Sequence, residues 1–225
     1  MFQVYTAPAS VFARVKEKPV WLLPMVLALV ANLAVVFVST QYVDWTEQRQ
    51  VAIDRMRERN MTEDQIQKAT EGMDKFYSSP LMRFGLPLVG ALFTGVIAVL
   101  FMTIIYNVAL PLVGARGDFV RTLSVVTHAG LVTIPASIVH IVLVLARRSA
   151  EVTTSLLLAA PGLKGGFLAV VLSRVDPFAI WQLILAGLGL GIVFEVRGSK
   201  PYWIVFSVWG LLTLVFALLG GRMGR

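Results

Sequence analysis

The side chains best suited to chemistry in this chain are two histidines and one asparagine inside long apolar stretches. His128 and His140 could bind a metal ion or relay a proton, and Asn107 could hydrogen-bond a ligand. The histidines are twelve residues apart, which in a helix means ~18 Å along the axis and about 120° around it. They therefore cannot share one ion unless a second helix contributes. We expect neutral, hydrogen-bonded imidazoles, and we predict that Asn107, His128 and His140 mark an intramembrane polar site.

The sequence contains no residue set that is typical of an enzyme active site. Cysteine is absent, which excludes disulfides, thiolate metal sites and cysteine nucleophiles. The apolar stretches contain no GxSxG pattern, no HExxH pattern and no pair of aspartates. We therefore predict a protein that is not an enzyme and that has no catalytic residues, no metal site and no cofactor.

The elements that must position these side chains are membrane spans. Hydrophobic residues make up 57% of the 225 residues, well above the share in soluble domains. Five stretches are long enough to cross a hydrocarbon core of ~30 Å as helices. They cover residues 20–40, 86–113, 119–146, 178–196 and 202–220, and the third of them has Pro135 near its middle. We predict an all-α fold, a polytopic membrane helix bundle of five transmembrane helices plus short interfacial helices, as one domain over residues 1–225.

Small residues indicate where these helices pack closely. Ala91 and Gly95 are four positions apart, as are Gly187 and Gly191, and this spacing lets the backbones of two helices approach. We interpret all four as helix-packing residues. A ligand passage would use the same glycines and is the alternative.

Three segments lie outside the predicted spans. Residues 1–19 have apolar positions at helical spacing and predict a short interfacial helix, or alternatively a docking helix for a partner. Residues 41–80 mix acidic and basic side chains and predict two extramembrane helices with a break near Asn60. Residues 152–173 are too apolar for a soluble loop, and they predict either interfacial helices or a re-entrant hairpin.

The stretch DPFAIWQLILAGLGL, the basic turn after it and the last span resemble the C-terminal part of the Yip-one domain family. The motif positions are Asp176, Phe178, Trp181, Gly187, Gly189, Ser199 and Lys200. The segment GDFVRTLSVVTHAGLVTIP similarly resembles the family's entry to its third span. The family consists of small polytopic membrane proteins, named for eukaryotic members that interact with Rab/Ypt GTPases. The opening TAPASVFARVKEKPVWLLP resembles the lead-in of bacterial members, which implies a bacterial-type member. The acidic Asp-Leu-Tyr-Gly-Pro signature of the eukaryotic members is not in this sequence, so another partner than a Rab GTPase is expected.

The resemblance implies a non-enzymatic adaptor or organiser that acts through protein or lipid partners. A transporter or channel component that moves a small molecule or ion is the alternative. The net charge of +7 favours anionic lipid headgroups as partners of the basic residues. Nucleic acid is not expected, because no basic run with interleaved aromatic residues occurs. We expect the lipid bilayer and an unknown protein as partners, with a homo-oligomer also compatible, and we place the chain in the bacterial cytoplasmic (inner) membrane with a cytoplasmic N-terminus.

Overall fold

The computed structural model describes residues 2–43, 45–150, 152–160, 162–163 and 166–223. Parts of the predicted segments 41–80 and 152–173, namely Asp44, Pro161 and residues 164–165, lie outside the described residues. The described residues contain helices and no strand, which confirms the predicted all-α class. The helices are α1 (Pro8–Glu17), α2 (Leu22–Thr40), α3 (Trp45–Glu58), α4 (Glu63–Ser78), α5 (Leu86–Ala109), α6 (Phe119–Ala129), α7 (Thr133–Arg147), α8 (Phe167–Arg174), α9 (Pro177–Val193) and α10 (Lys200–Met223).

Four helical stretches are long and apolar enough to cross a membrane: Leu22–Thr40, Leu81–Val113, Phe119–Arg147 and Lys200–Leu219. A fifth crossing results if α8 and α9, which meet at an angle of 61°, are one broken span. The predicted polytopic helix bundle is therefore confirmed with four to five spans. The bend comes at Asp176 and Pro177, because the aspartate caps a new helix and proline cannot extend an old one.

Helix α9 lies at the centre of the bundle. It contacts α1, α6 and α10, and Leu185, Ala186 and Leu190 are buried on it. The helices around it instead expose large apolar side chains, such as Phe93, which is 64% exposed, and Ile138, which is 60% exposed. Since no water-soluble surface would carry so many exposed apolar groups, this outer belt is the lipid-facing surface.

The third span is a helix with one broken turn. Residues Gly130–Val132 form a 3-10 turn between α6 and α7. Pro135 lies just beyond that turn, lacks an N–H and crowds the carbonyl four residues earlier, which is how proline interrupts a helix. The predicted position of Pro135 inside this span thus explains the break.

Helices α3 and α4 form a charged hairpin outside the spans. Asn60 has a left-handed backbone (φ 56°) at the break, as its position between two helical patterns predicts. Thr62 and Gln65 then form a capping box, in which each backbone N–H donates to the other side chain. Ile53 and Ile66 are buried in the hairpin.

The N-terminal segment, for which the sequence predicts an interfacial helix or a docking helix for a partner, is packed onto the bundle. Helix α1 packs against α6 and α9, and its apolar residues Val11, Phe12 and Val15 are buried, together with Val4 ahead of it. The sequence spacing correctly indicated one apolar face, but protein rather than lipid covers that face.

Candidate functional site

The predicted intramembrane polar residues lie in three different places. Asn107 lies near the end of α5, where its Oδ1 accepts a hydrogen bond from the Thr122 hydroxyl at 3.2 Å. Gly117 passes so close that a Cβ there would be 2.6 Å from Asn107 Oδ1. Asn107 therefore fastens the entry of the third span to the end of the second.

His128 is buried on α6, and its Nδ1 is 2.8 Å from the Ser124 carbonyl oxygen. Because a carbonyl only accepts, Nδ1 carries the proton of this bond and Nε2 is left as an acceptor. The ring lines a cavity of about 420 Å³ beneath α1, together with Val11 and Arg14. The other predicted imidazole, His140, lies on α7 beyond the broken turn. In the described part of the chain, no hydrogen bond or ion pair joins the two histidines to each other or to Asn107.

A third polar contact, which the sequence interpretation missed, stabilises the broken turn. The Tyr5 hydroxyl donates a hydrogen bond of 2.7 Å to the Leu131 carbonyl oxygen. This carbonyl is the one whose usual partner would be the N–H of residue 135, which is a proline. The Tyr5 ring also packs against Trp181, with their ring centroids 5.7 Å apart. The N-terminal segment thus adds a hydrogen bond to the broken turn of the third span.

Two motif glycines make room for neighbouring aromatic rings. A Cβ on Gly189 would be 2.7 Å from Phe12 Cε1 and 2.6 Å from Val125 Cγ1. A Cβ on Gly187 would be 2.5 Å from Tyr202 Cδ1 at the start of α10. All three distances are shorter than real Cβ contacts, so no larger residue fits at either position without movement. Gly189 therefore lies at the close contact with α1, and Gly187 lies at the close contact with α10.

The remaining predicted packing residues lie on α5 and α9. Gly95 approaches α2 closely, since a Cβ there would be 2.7 Å from Leu29 Cδ2. Gly191 is less crowded, with the nearest atom of Pro201 at 3.4 Å from a built Cβ. Ala91 is half-buried on α5.

A comparison with models of protein families finds a match over nearly the whole chain. The family model described as the Yip1 domain matches residues 2–219, from the Tyr5 segment to the last span. The chain belongs to the Yip1 domain family. This confirms the resemblance seen in the motif residues. Comparisons with curated proteins and with solved structures found no match.

In this Yip1 domain the motif residue Asp176 organises the bend between α8 and α9. One carboxylate oxygen accepts hydrogen bonds from the N–H groups of Phe178 at 2.8 Å and Ala179 at 3.2 Å. The other oxygen accepts from the Thr154 hydroxyl. Asp176 therefore joins the start of α9 to the segment before α8. Phe178 packs against the core, and Lys200 is exposed at the first position of α10.

An ion pair closes the other end of the docked α1. Lys16 Nζ is 2.5 Å from Glu195 Oε1 in the turn after α9. The hydrogen bond and the positive charge of Lys16 lower the pKa of Glu195 below its ordinary value of 4.5. Because the carboxyl group is solvent-exposed, the ion pair contributes little to the stability of the fold. This small contribution depends on pH, since it requires the charged carboxylate.

We expect the Lys16–Glu195 pair to stabilise the Yip1 domain above pH 4.5 and to lose its effect as the pH falls through the lower pKa of the folded state. At neutral pH the Glu195→Gln variant should melt about 1 °C below the unsubstituted protein. That difference should shrink and then vanish as the pH is lowered through the depressed pKa of Glu195. Thermal unfolding in nanodiscs over a series of pH values measures it, with Glu17→Gln as a control on the exposed face of α1. A difference that persists at the lowest pH would contradict the prediction.

Proposed function

We propose that this Yip1 domain is a non-catalytic membrane adaptor that holds a partner protein on the charged hairpin formed by α3 and α4. The feature that carries the proposal is the construction of this hairpin. Arg49 Nε lies 2.9 Å from Asp74 Oδ1, and Arg57 Nε lies 3.6 Å from Glu63 Oε1, so ion pairs join its two helices. With Ile53 and Ile66 buried as well, the hairpin is a preformed unit rather than a loose loop.

The alternative docking element, residues 1–19, is less suited to a partner. Its apolar face is already covered by α6 and α9, and Phe12 is fully buried. The hairpin instead exposes charges, such as Glu58, Arg59 and Lys75, that form no ion pair within the described part of the chain. A partner with complementary charges would find its contacts there.

We further propose that the N-terminus faces the cytoplasm of a bacterial cell and that the hairpin faces the opposite side. The support is the group of basic residues beside short connections on the N-terminal side, among them Arg14, Lys16 and Lys18. Short loops rich in Lys and Arg remain cytoplasmic.

A membrane-impermeant cross-linker tests both parts of this proposal. In intact cells we expect one stoichiometric protein with cross-links to residues 45–78. The yield of the cross-linked product should fall about tenfold in the double variant Arg59→Glu, Lys75→Glu. Two attractive contacts with acidic groups at the edge of the interface then become repulsive. Arg116→Glu, an exposed charge reversal in the turn before α6, is the matched control.

Two results would contradict the adaptor function or its orientation. Cross-links that survive the double variant would remove the hairpin from the interaction. Cross-links that form only after the membranes are opened would reverse the proposed orientation.

A transporter or channel component is the second candidate, and the two discontinuous helices favour it. The third span is broken at Gly130–Val132, and α8 and α9 bend by 61°. Broken helices line the substrate paths of many transporters. A solute flux across reconstituted vesicles that His128→Ala abolishes, while the protein remains folded and abundant, would support this function instead.

A further inference from the structure

A cavity of about 260 Å³ lies between α2, α5, α6 and α9, at the broken turn of the third span. A second cavity of about 170 Å³ lies next to it, against α5, α9 and α10. The two share Met102, Val126 and Gln182 as wall residues. We treat them as one site and call it the Gln182 pocket.

The walls of the Gln182 pocket carry polar groups at membrane depth. Asn32, Thr133 and Gln182 line the larger part, and Tyr106, Trp209 and Gln182 line the smaller one. In the described part of the chain, none of these five side chains makes a hydrogen bond. Tyr106 is only 3% exposed, so lipid and bulk water reach little of its side chain. Polar groups left unpaired in the hydrocarbon layer are costly, which indicates that something else fills the pocket and pairs with them.

The pocket is electrically neutral. Neither part is lined by Asp, Glu, Lys, Arg or His, and the remaining walls are apolar or small residues such as Met25 and Leu183. A charged ligand would lose its hydration without gaining a counter-charge. A neutral group with carbonyl or hydroxyl oxygens would be matched, because carboxamides both donate and accept hydrogen bonds.

The pocket reaches the exposed apolar belt of the bundle at Ala98. Ala98 lines it and is exposed. Its neighbours Ile97 and Phe101 are 61% and 48% exposed on the outer belt. A molecule dissolved in the bilayer could therefore enter between α2 and α5.

We propose that the Gln182 pocket binds the neutral, oxygen-bearing head of a lipid-soluble molecule, of the chemical class that includes diacylglycerols and quinones. The amides of Asn32 and Gln182 hydrogen-bond the head, and the apolar chain extends past Ala98 into the bilayer. The hydroxyls of Tyr106 and Thr133 provide further partners. This site is separate from the α3–α4 hairpin, so it does not depend on the adaptor function.

Photolabelling in nanodiscs tests the proposal with two probes, a photoactivatable diacylglycerol and a photoactivatable quinone. At least one probe should label peptides of α2, α5, α6 or α9. Gln182→Leu should reduce this labelling about tenfold, as expected for one or two lost hydrogen bonds, without lowering the melting temperature of the ligand-free protein. Ala98→Phe should block labelling at the opening, whereas Ile97→Phe, its outward-facing neighbour, should leave labelling unchanged.

Competition with unlabelled molecules distinguishes a diacylglycerol from a quinone as the bound ligand. An unlabelled diacylglycerol or quinone should displace the matching probe, and an anionic fatty acid should not. Labelling that persists in both Gln182→Leu and Ala98→Phe would overturn the proposal. It would also be overturned if neither probe labels these helices, in which case the pocket holds water only.

Discussion

Replacing Phe12 by alanine is expected to release the N-terminal helix from the bundle. Phe12 is fully buried, and its ring lies against the backbone of Gly189. Removing a buried phenylalanine costs about 3–5 kcal/mol in soluble cores. We expect about 3 kcal/mol here, because lipid can cover part of the released surface and lessens the loss.

The absence of cysteine from the chain makes this release simple to measure. A single cysteine in place of Val15, which is 3% exposed, should react slowly with a maleimide while α1 is docked. In the Phe12→Ala background the reaction should be about 100-fold faster, which corresponds to ~3 kcal/mol. Phe2→Ala is the matched control, since Phe2 belongs to the same segment but is 60% exposed. Equal rates in the two backgrounds would show that Phe12 does not hold the helix.

The contact between Phe12 and Gly189 can also be disturbed by substituting the glycine. Gly189→Ala places a methyl group 2.6–2.7 Å from Val125 and Phe12, so we expect it to expose the Val15→Cys thiol as well. Because the clash with Phe12 disappears in Phe12→Ala, the two substitutions together should cost less than the sum of their separate effects. Purely additive costs would mean that Gly189 acts through another neighbour.

The helix boundaries were predictable because their signals are local. Asp118 accepts a hydrogen bond from the Arg121 N–H, and Asp176 caps α9, as short polar residues before apolar runs predict. The break at Asn60 and the capping box after it also follow from neighbouring residues alone. The 61° bend was not predictable in size, since it depends on how α8 packs along α10.

The candidate sites were harder to predict for a physical reason. Asn107 and His128 stand out by residue type, but each has a hydrogen-bond partner in its own part of the fold. Gln182 and Tyr106 become notable as a pair only in the structure, where no neighbour among the described residues hydrogen-bonds their side chains. A missing partner is a property of the packed bundle, which a single sequence does not contain. The docking of α1 is similar, because an apolar stripe fits a lipid surface and a protein groove equally well.

Tyr5→Phe is expected to destabilise the bundle by about 0.5–1.5 kcal/mol, the usual net contribution of one hydrogen bond. The Tyr5 hydroxyl supplies the Leu131 carbonyl with the hydrogen bond that Pro135 cannot give. The cost should therefore depend on the proline. With Pro135→Ala, residue 135 regains an N–H that can reach the Leu131 carbonyl in a continuous helix.

A double-mutant cycle on Tyr5 and Pro135 decides whether this is the role of the tyrosine. Thermal unfolding in nanodiscs should show a marked loss for Tyr5→Phe in the native background and little loss in the Pro135→Ala background. Tyr42→Phe, which removes a hydroxyl with no hydrogen bond among the described residues, should have no effect in either. If Tyr5→Phe costs the same with and without the proline, the hydroxyl does not compensate for the break. If the cost disappears only with Pro135→Ala, the N-terminal segment is a structural part of the third span, and its docking then controls whether that span keeps its broken turn.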